Sequence, residues 1–311
     1  MMVSELQSGF VRGVYAAVLT PVDDKLEPNH KAYVAHCRWL LANGCDGLAP
    51  LGTTGEANSL SVAQRLGLIE ASAQSGLPMA RFIIGTGSCA LSDAVTLTKA
   101  AVAAGSGGAL LLPPFYYKNP SEDGLFRFFS EVIERVGDTR LRVFLYHFPQ
   151  LSTVPVTPAL IARLKARYGA VMAGVKDSSG DWSYTAHLLK EHPGFGAFSG
   201  SEQFLLANLR AGGAGCISAS TNVTAAMAAL VMKGWQTPDA DALQENLTAA
   251  RLVLQTVPFQ AGLKELVARV TGDRQWLNVV PPNHPLSAQQ RDQLLTRLAG
   301  VKGMRPLLKA A

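Results

Sequence analysis

Eight short apolar runs, separated by stretches of helical character, constrain this chain more than any other feature. They are GVYAAVLTPV (13–22), DGLAPLG (46–52), RFIIGTG (81–87), GALLLPP (108–114), LRVFLYHFP (141–149), AVMAGVKD (170–177), FGAFSG (195–200) and GAGCISAS (213–220). Each is rich in Val, Ile, Leu or Phe or in small residues, and is bounded by Gly or Pro. A strand that is apolar on both faces must be covered on both, the condition of a parallel sheet flanked by helices. The intervening stretches carry helix-start chemistry. Ser61 to Gln64 and Ser287 to Gln290 read as capping boxes, in which hydroxyl and amide satisfy orphan N–H groups. Thr157-Pro158 and Thr237-Pro238 each place an N-cap hydroxyl before a Pro at the first helical position.

Strands alternating with helices eight times predict a (β/α)8 barrel, here over residues 1–235, with 224–235 completing the eighth unit. Segments 239–256, 259–271 and 287–299 then read as extra helices of a C-terminal extension, 236–311, packed on the barrel. An open doubly wound sheet is the alternative, but no GxGxxG follows a strand and no P-loop occurs.

The chain of 311 residues is 48% hydrophobic and 16% charged, enough to bury a large core. Its net charge of +5 is scattered, with no basic run or aromatic-interleaved stripe, so it reads as a solvated surface and not a nucleic-acid face. The opening MMVSELQSGFVRG lacks the apolar region of a signal peptide, and no window of about 18 apolar residues predicts a membrane span. Cys37, Cys45, Cys89 and Cys216 form no CxxC and read as reduced residues of a cytoplasmic protein. The six histidines form no HxH or HExxH pair, so no metal site is expected.

In a barrel, chemistry sits at the C-terminal ends of the strands. Strand 2 gives way to GTTGE (52–56), either a tight turn or a set of N–H groups and hydroxyls able to wrap a carboxylate. Strand 4 ends in PPFYYKNP (113–120) and strand 5 in YHFP (146–149), whose phenols either pack at the barrel mouth or serve it chemically. Strand 6 ends in Lys176, after an apolar run that begins near Tyr168. Burying an ammonium without a partner costs several kcal/mol or forces it neutral, so this lysine is either a strand end reaching water or a nucleophile. Taken together, these groups form a toolkit for a 2-keto acid. A neutral amine attacks the ketone, a phenol relays protons and the threonine turn holds the carboxylate.

The motifs GTTGE, PPFYY, LYHFP, GVKDSSGD and GCIS fall in one order and spacing from about Gly13 to about Leu298. In this they resemble the dihydrodipicolinate synthase / N-acetylneuraminate lyase superfamily, the pyruvate-dependent class I aldolases. The resemblance implies a barrel with C-terminal helices, a homotetramer built from two tight dimers, a lysine Schiff base with pyruvate and no metal or organic cofactor. By position it implies Lys176 as the Schiff-base lysine and Tyr146 as the acid/base tyrosine. Thr53 falls at the carboxylate-binding position and Thr54 at the proton relay, both bordering the substrate. Tyr116 falls at the tyrosine lent to the neighbouring subunit, with Tyr117 as alternative because this loop is one residue longer. Gly200 and Ile217 border the substrate.

The chain also departs from named members of that superfamily. Leu151 stands where dihydrodipicolinate synthases carry an arginine for the second substrate's carboxylate. Ser201-Glu202-Gln203 and Ala219 do not reproduce the polyol-binding residues of sialic acid lyases. By strand alternation, His147 should face away from Tyr146 and Asp177 away from Lys176. The expectation is therefore an aldolase joining pyruvate and an aldehyde into a 2-keto-3-deoxy or 4-hydroxy-2-oxo acid, or cleaving one. The alternatives are 4-hydroxy-tetrahydrodipicolinate synthesis or dehydration on the same lysine, or a non-catalytic barrel that binds a keto acid.

Overall fold

The computed structural model describes residues 11–308. The first ten residues, which include most of the stretch read above for a signal peptide, lie outside it, as do the last three of the expected extension. All eight apolar runs contribute strands: β1 (Gly13–Ala16), β2 (Gly47–Leu48), β3 (Ile83–Gly85), β4 (Gly108–Leu111), β5 (Val143–His147), β6 (Met172–Asp177), β7 (Gly196–Ser199) and β8 (Gly215–Ser218). The strands are shorter than the runs because the runs continue into the loops at the barrel mouth.

Every pairing is parallel, in the order β2-β1-β8-β7-β6-β5-β4-β3. A parallel bridge between Leu48 and Phe82 brings β2 against the start of β3 and closes the ring. That closure excludes the open doubly wound sheet.

Eight helices alternate with the strands: α1 (His30–Ala42), α2 (Val62–Gln74), α3 (Leu91–Ala103), α4 (Glu122–Val136), α5 (Pro158–Tyr168), α6 (Trp182–Glu191), α7 (Leu205–Arg210) and α8 (Thr221–Gly234). Three further helices follow: α9 (Ala240–Leu254), α10 (Phe259–Thr271) and α11 (Ala288–Ala299). Both capping boxes form. Thr157 accepts from Leu160 N as an N-cap should. Thr237 differs: its hydroxyl turns back to Gly234 O, and α9 begins beyond it at Ala240. The Thr237 N–H and hydroxyl both donate to that carbonyl, at 2.9 and 2.8 Å, so the residue closes α8 instead of capping the next helix.

The core is layered. Tyr15, Ile83, Phe144, Phe198 and Ile217 fill the barrel interior. Two larger clusters lie between strands and barrel helices, and a fourth joins Leu19 and Val223 to the C-terminal helices through Leu254, Leu263, Leu266 and Trp276. No helix among the described residues is long and apolar enough to cross a membrane.

Candidate active site

Tyr146 and Lys176 are register partners on the adjacent strands β5 and β6, so their side chains leave the sheet on the same face. Both are buried at 4% exposure. The Lys176 amine stands over the Tyr146 ring, 4.3 Å from its centroid. The Tyr146 hydroxyl lies 3.5 Å from Thr53 Oγ1, and Phe148 stacks on the same ring.

Strand alternation sends His147 and Asp177 the other way, as their positions in the sequence imply. His147 Nδ1 accepts from Val156 N at 3.0 Å, and its ring stacks on Tyr184 at 4.0 Å. Burial holds the imidazole below its ordinary pKa, opposed by Asp177 and Asp181. Asp177 accepts from Thr185 Oγ1 at 2.7 Å and from Ser179 N at 2.8 Å, so both its oxygens serve the loop and helix behind the strand.

The threonine turn is held from outside the barrel. Leu51 and Glu56, on either side of Gly52 to Gly55, have left-handed backbones with φ of 59° and 54°. Such conformations in non-glycine residues persist only where surrounding structure enforces them. Here the enforcement is visible. Glu56 forms a buried ion pair with Lys264 of α10 and accepts from Val280 N at 2.7 Å, while Lys264 donates to Asn278 O at 2.8 Å. Thr20 Oγ1 donates to Gly55 O at 2.8 Å.

At the end of β7, Gly200 N donates to Asp177 O at 2.6 Å, and a Cβ on this residue would overlap Ser178 Oγ. Only glycine lets β7 come so close to the lysine strand.

A cavity of about 400 Å³ opens above these groups. Thr53, Thr54, Tyr146, Lys176 and Gly200 line it. Ile217 does not: it lies in the barrel interior, fully buried in one cluster with Phe144, Tyr146 and Phe198. Tyr116 and Tyr117 also stand outside the cavity, 72% and 79% exposed, edge to face at 5.3 Å.

Several cavity residues had no signal in the sequence. Trp182 and Phe204 stack on one another at its wall, and Arg251, Gln255, Phe259 and Gln260 reach it from α9 and α10. Behind Arg251, Glu202 is wholly buried and accepts from Ser218 Oγ and Thr224 Oγ1, each at 2.6 Å, and from Ser220. Arg251 Nη1 donates to Ser218 and Ser220 at 3.1 and 3.0 Å and lies 3.6 Å from the Glu202 carboxylate.

Cys37 and Cys45 are buried with thiols pushed up to about 12, first by loss of water, and Cys216 is shifted in the same direction. These thiols pack as small apolar groups. Among the described residues, no group of three His, Cys, Asp or Glu side chains is placed to hold a metal ion.

The arrangement offers an amine, a phenol and two hydroxyls around one small volume. That set can form an imine with a keto acid and move protons beside it.

The sequence profile of the dihydrodipicolinate synthetase family matches residues 10–300. An uncharacterised DapA-like lyase of Chloroflexus aurantiacus is 34% identical over 81% of this chain and 85% of its own. The crystal structure of a dihydrodipicolinate synthase from Agrobacterium tumefaciens superposes with a TM-score of 0.86 at 32% identity, covering 93% of this chain and 99% of that one. A prophage protein of the same family from E. coli K12, solved in complex with pyruvate, gives a TM-score of 0.85 at 28% identity, with coverages of 94% and 98%. The chain belongs to the dihydrodipicolinate synthetase family and is a lyase of its Schiff-base aldolase class.

Proposed function

We propose that this protein joins pyruvate to an aldehyde, or cleaves the resulting 4-hydroxy-2-oxo or 2-keto-3-deoxy acid, through a Schiff base on Lys176. The observation that carries this reading is the buried Lys176 amine, 4.3 Å from the centroid of the Tyr146 ring at the floor of the cavity. The Lys176 amine adds to C2 of pyruvate, and loss of water leaves an iminium. A solvent water takes a C3 proton and leaves an enamine, whose C3 attacks the aldehyde carbon; that proton later restores the Tyr146 phenol through solvent. The aldehyde π pair goes to oxygen, which takes a proton from Tyr146. Water then hydrolyses the iminium, releasing product and Lys176. Cleavage runs the same steps backwards. Thr53 and Thr54 hold the pyruvate carboxylate, and the Thr53 hydroxyl keeps the phenol in line.

The runner-up is dihydrodipicolinate synthesis, the activity named for the Agrobacterium relative. Leu151, on the cavity wall, disfavours it by offering nothing to a second carboxylate. The exposure of Tyr116 and Tyr117 supports an assembly, a tetramer in this reading, in which one of them completes a neighbour's proton relay. A reduced, cytoplasmic setting fits four cysteines that form no disulfide.

Borohydride reduction with pyruvate tests the central step. An irreversible adduct of one reduced pyruvate is expected on the wild type and not on Lys176→Ala. No adduct on the wild type would remove the Schiff-base reading.

A further inference from the structure

The apolar part of the cavity wall points to the second substrate. It is built from large apolar side chains supplied by separate elements: Phe148 and Leu151 after β5, Trp182 at the start of α6, Phe204 before α7 and Phe259 at the start of α10. None of the five is fully buried, and Leu151 is 60% exposed. Trp182 and Phe204 stack 6.2 Å apart at 18°, and Phe148 stacks on the Tyr146 ring at 5.8 Å. Apolar surface left open in a concave site above a reactive amine is what a ligand with an apolar arm covers.

The charges nearby do not contradict this. Arg251 has Glu202 behind it at 3.6 Å, and its Nη1 is occupied by Ser218 and Ser220. Its guanidinium also lies over the Phe259 ring, 4.4 Å from the centroid. Asp177 is engaged by Thr185 and Ser179. Apart from Lys176 itself, the charged groups on this wall are Arg251, which has Glu202 as its counter-charge, and Asp177, whose two oxygens are hydrogen-bonded. An anionic acceptor would therefore lose water without gaining a free cation. The remaining polar groups, among them Gln203, Gln260 and Ser201, are neutral and suit a hydroxyl substituent.

We propose that the acceptor is an uncharged aldehyde with a planar, aromatic arm, so that the product is a 4-aryl-4-hydroxy-2-oxo acid. This rests on the Schiff-base reading above. In the bond-forming step, enamine C3 attacks the aryl aldehyde carbon, the carbonyl electrons pass to oxygen and the new alkoxide takes a proton from Tyr146. The ring meanwhile lies against Trp182, Phe204 and Phe259.

The test uses the full-length protein with pyruvate and three acceptors: benzaldehyde, glyoxylate and glyceraldehyde. Borohydride trapping of pyruvate is measured alongside, so that loss of the imine is distinguished from a wrong acceptor. With trapping intact, benzaldehyde should give a kcat/KM at least tenfold above the other two. Leu151→Arg should reverse the order of benzaldehyde and glyoxylate while leaving trapping unchanged. Trp182→Ser should raise KM for benzaldehyde severalfold with little change for glyceraldehyde. Equal or higher kcat/KM with glyoxylate or glyceraldehyde on the wild type, while trapping persists, would overturn the proposal.

Discussion

Lys264 of α10 and Glu56 at the end of the threonine turn form an ion pair whose side chains are 0% and 1% exposed. It joins the last third of the chain to the loop that carries Thr53 and Thr54, three and two residues upstream of the carboxylate. Burial pushes the Lys264 ammonium below its ordinary pKa, and Glu56 opposes that shift. The extra helices therefore do more than cover the barrel: they hold part of its mouth in a left-handed backbone that Glu56 would not adopt by preference.

Removing one member of this pair leaves the other charged, buried and unpaired, at about 3–5 kcal/mol. Lys264→Met and Glu56→Gln should each lower stability in urea unfolding by about that much. The double variant should lose clearly less than the sum, since neither charge is then orphaned. Strict additivity would show that the two groups act separately.

Stability should fall with acidity because of His36. Its Nε2 lies 2.9 Å from Asn222 Oδ1, and Asn222 also donates to Ala17 O and Ala219 O, tying α1 and the start of α8 to the end of β1. Burial pushes the His36 pKa from 6.5 down to about 4, opposed by the Asn222 contact. The native state keeps the imidazole neutral, so between these values the unfolded chain binds the extra proton. At about 1.4 kcal/mol per pKa unit, about 3 kcal/mol of stability is present above pH 6.5 and is lost as pH falls toward 4. His36→Gln should flatten urea-unfolding stability across that window. An unchanged slope would assign the acid sensitivity elsewhere.

Tyr146→Phe keeps the ring over Lys176 and removes the proton-carrying group. Turnover should fall by about 10² to 10⁴, the usual range for losing a general acid/base, while slow borohydride trapping of pyruvate survives. Thr53→Val removes the hydroxyl partner of the phenol and leaves the N–H groups of the turn to the carboxylate; with one hydrogen bond worth about 1 kcal/mol, kcat should fall about fivefold. A Thr53 effect as large as that of Tyr146 would make the hydroxyl a proton carrier in its own right.

Tyr116 and Tyr117 lie too exposed to serve the cavity of their own chain. Sedimentation should reveal an assembly, and either Tyr116→Phe or Tyr117→Phe should reduce turnover at least tenfold without dissociating it. A fully active monomer would remove the cross-subunit relay.

Much of this site was legible because β structure has a period of two. Once LRVFLYHFP and AVMAGVKD are strands, Tyr146 and Lys176 must face one side, and His147 and Asp177 the other. Ile217, expected beside the substrate from the resemblance alone, lies in the barrel interior and does not line the cavity, because depth depends on barrel tilt and stagger. Arg251, Phe259 and Lys264 had no signal at all. A charge or an aromatic ring on an amphipathic helix reads the same whether it meets water or a distant loop.

The sequence by itself determined the eight strand–helix units, the placement of an amine and a phenol on neighbouring strands, and the turn chemistry of GTTGE, since each depends on local periodicity and backbone preference. Only the tertiary structure decided what encloses the amine. The Glu56–Lys264 pair, the Glu202–Arg251 cluster and the aromatic wall join residues far apart in the chain, and their energies exist only once the barrel has closed and its extra helices have docked.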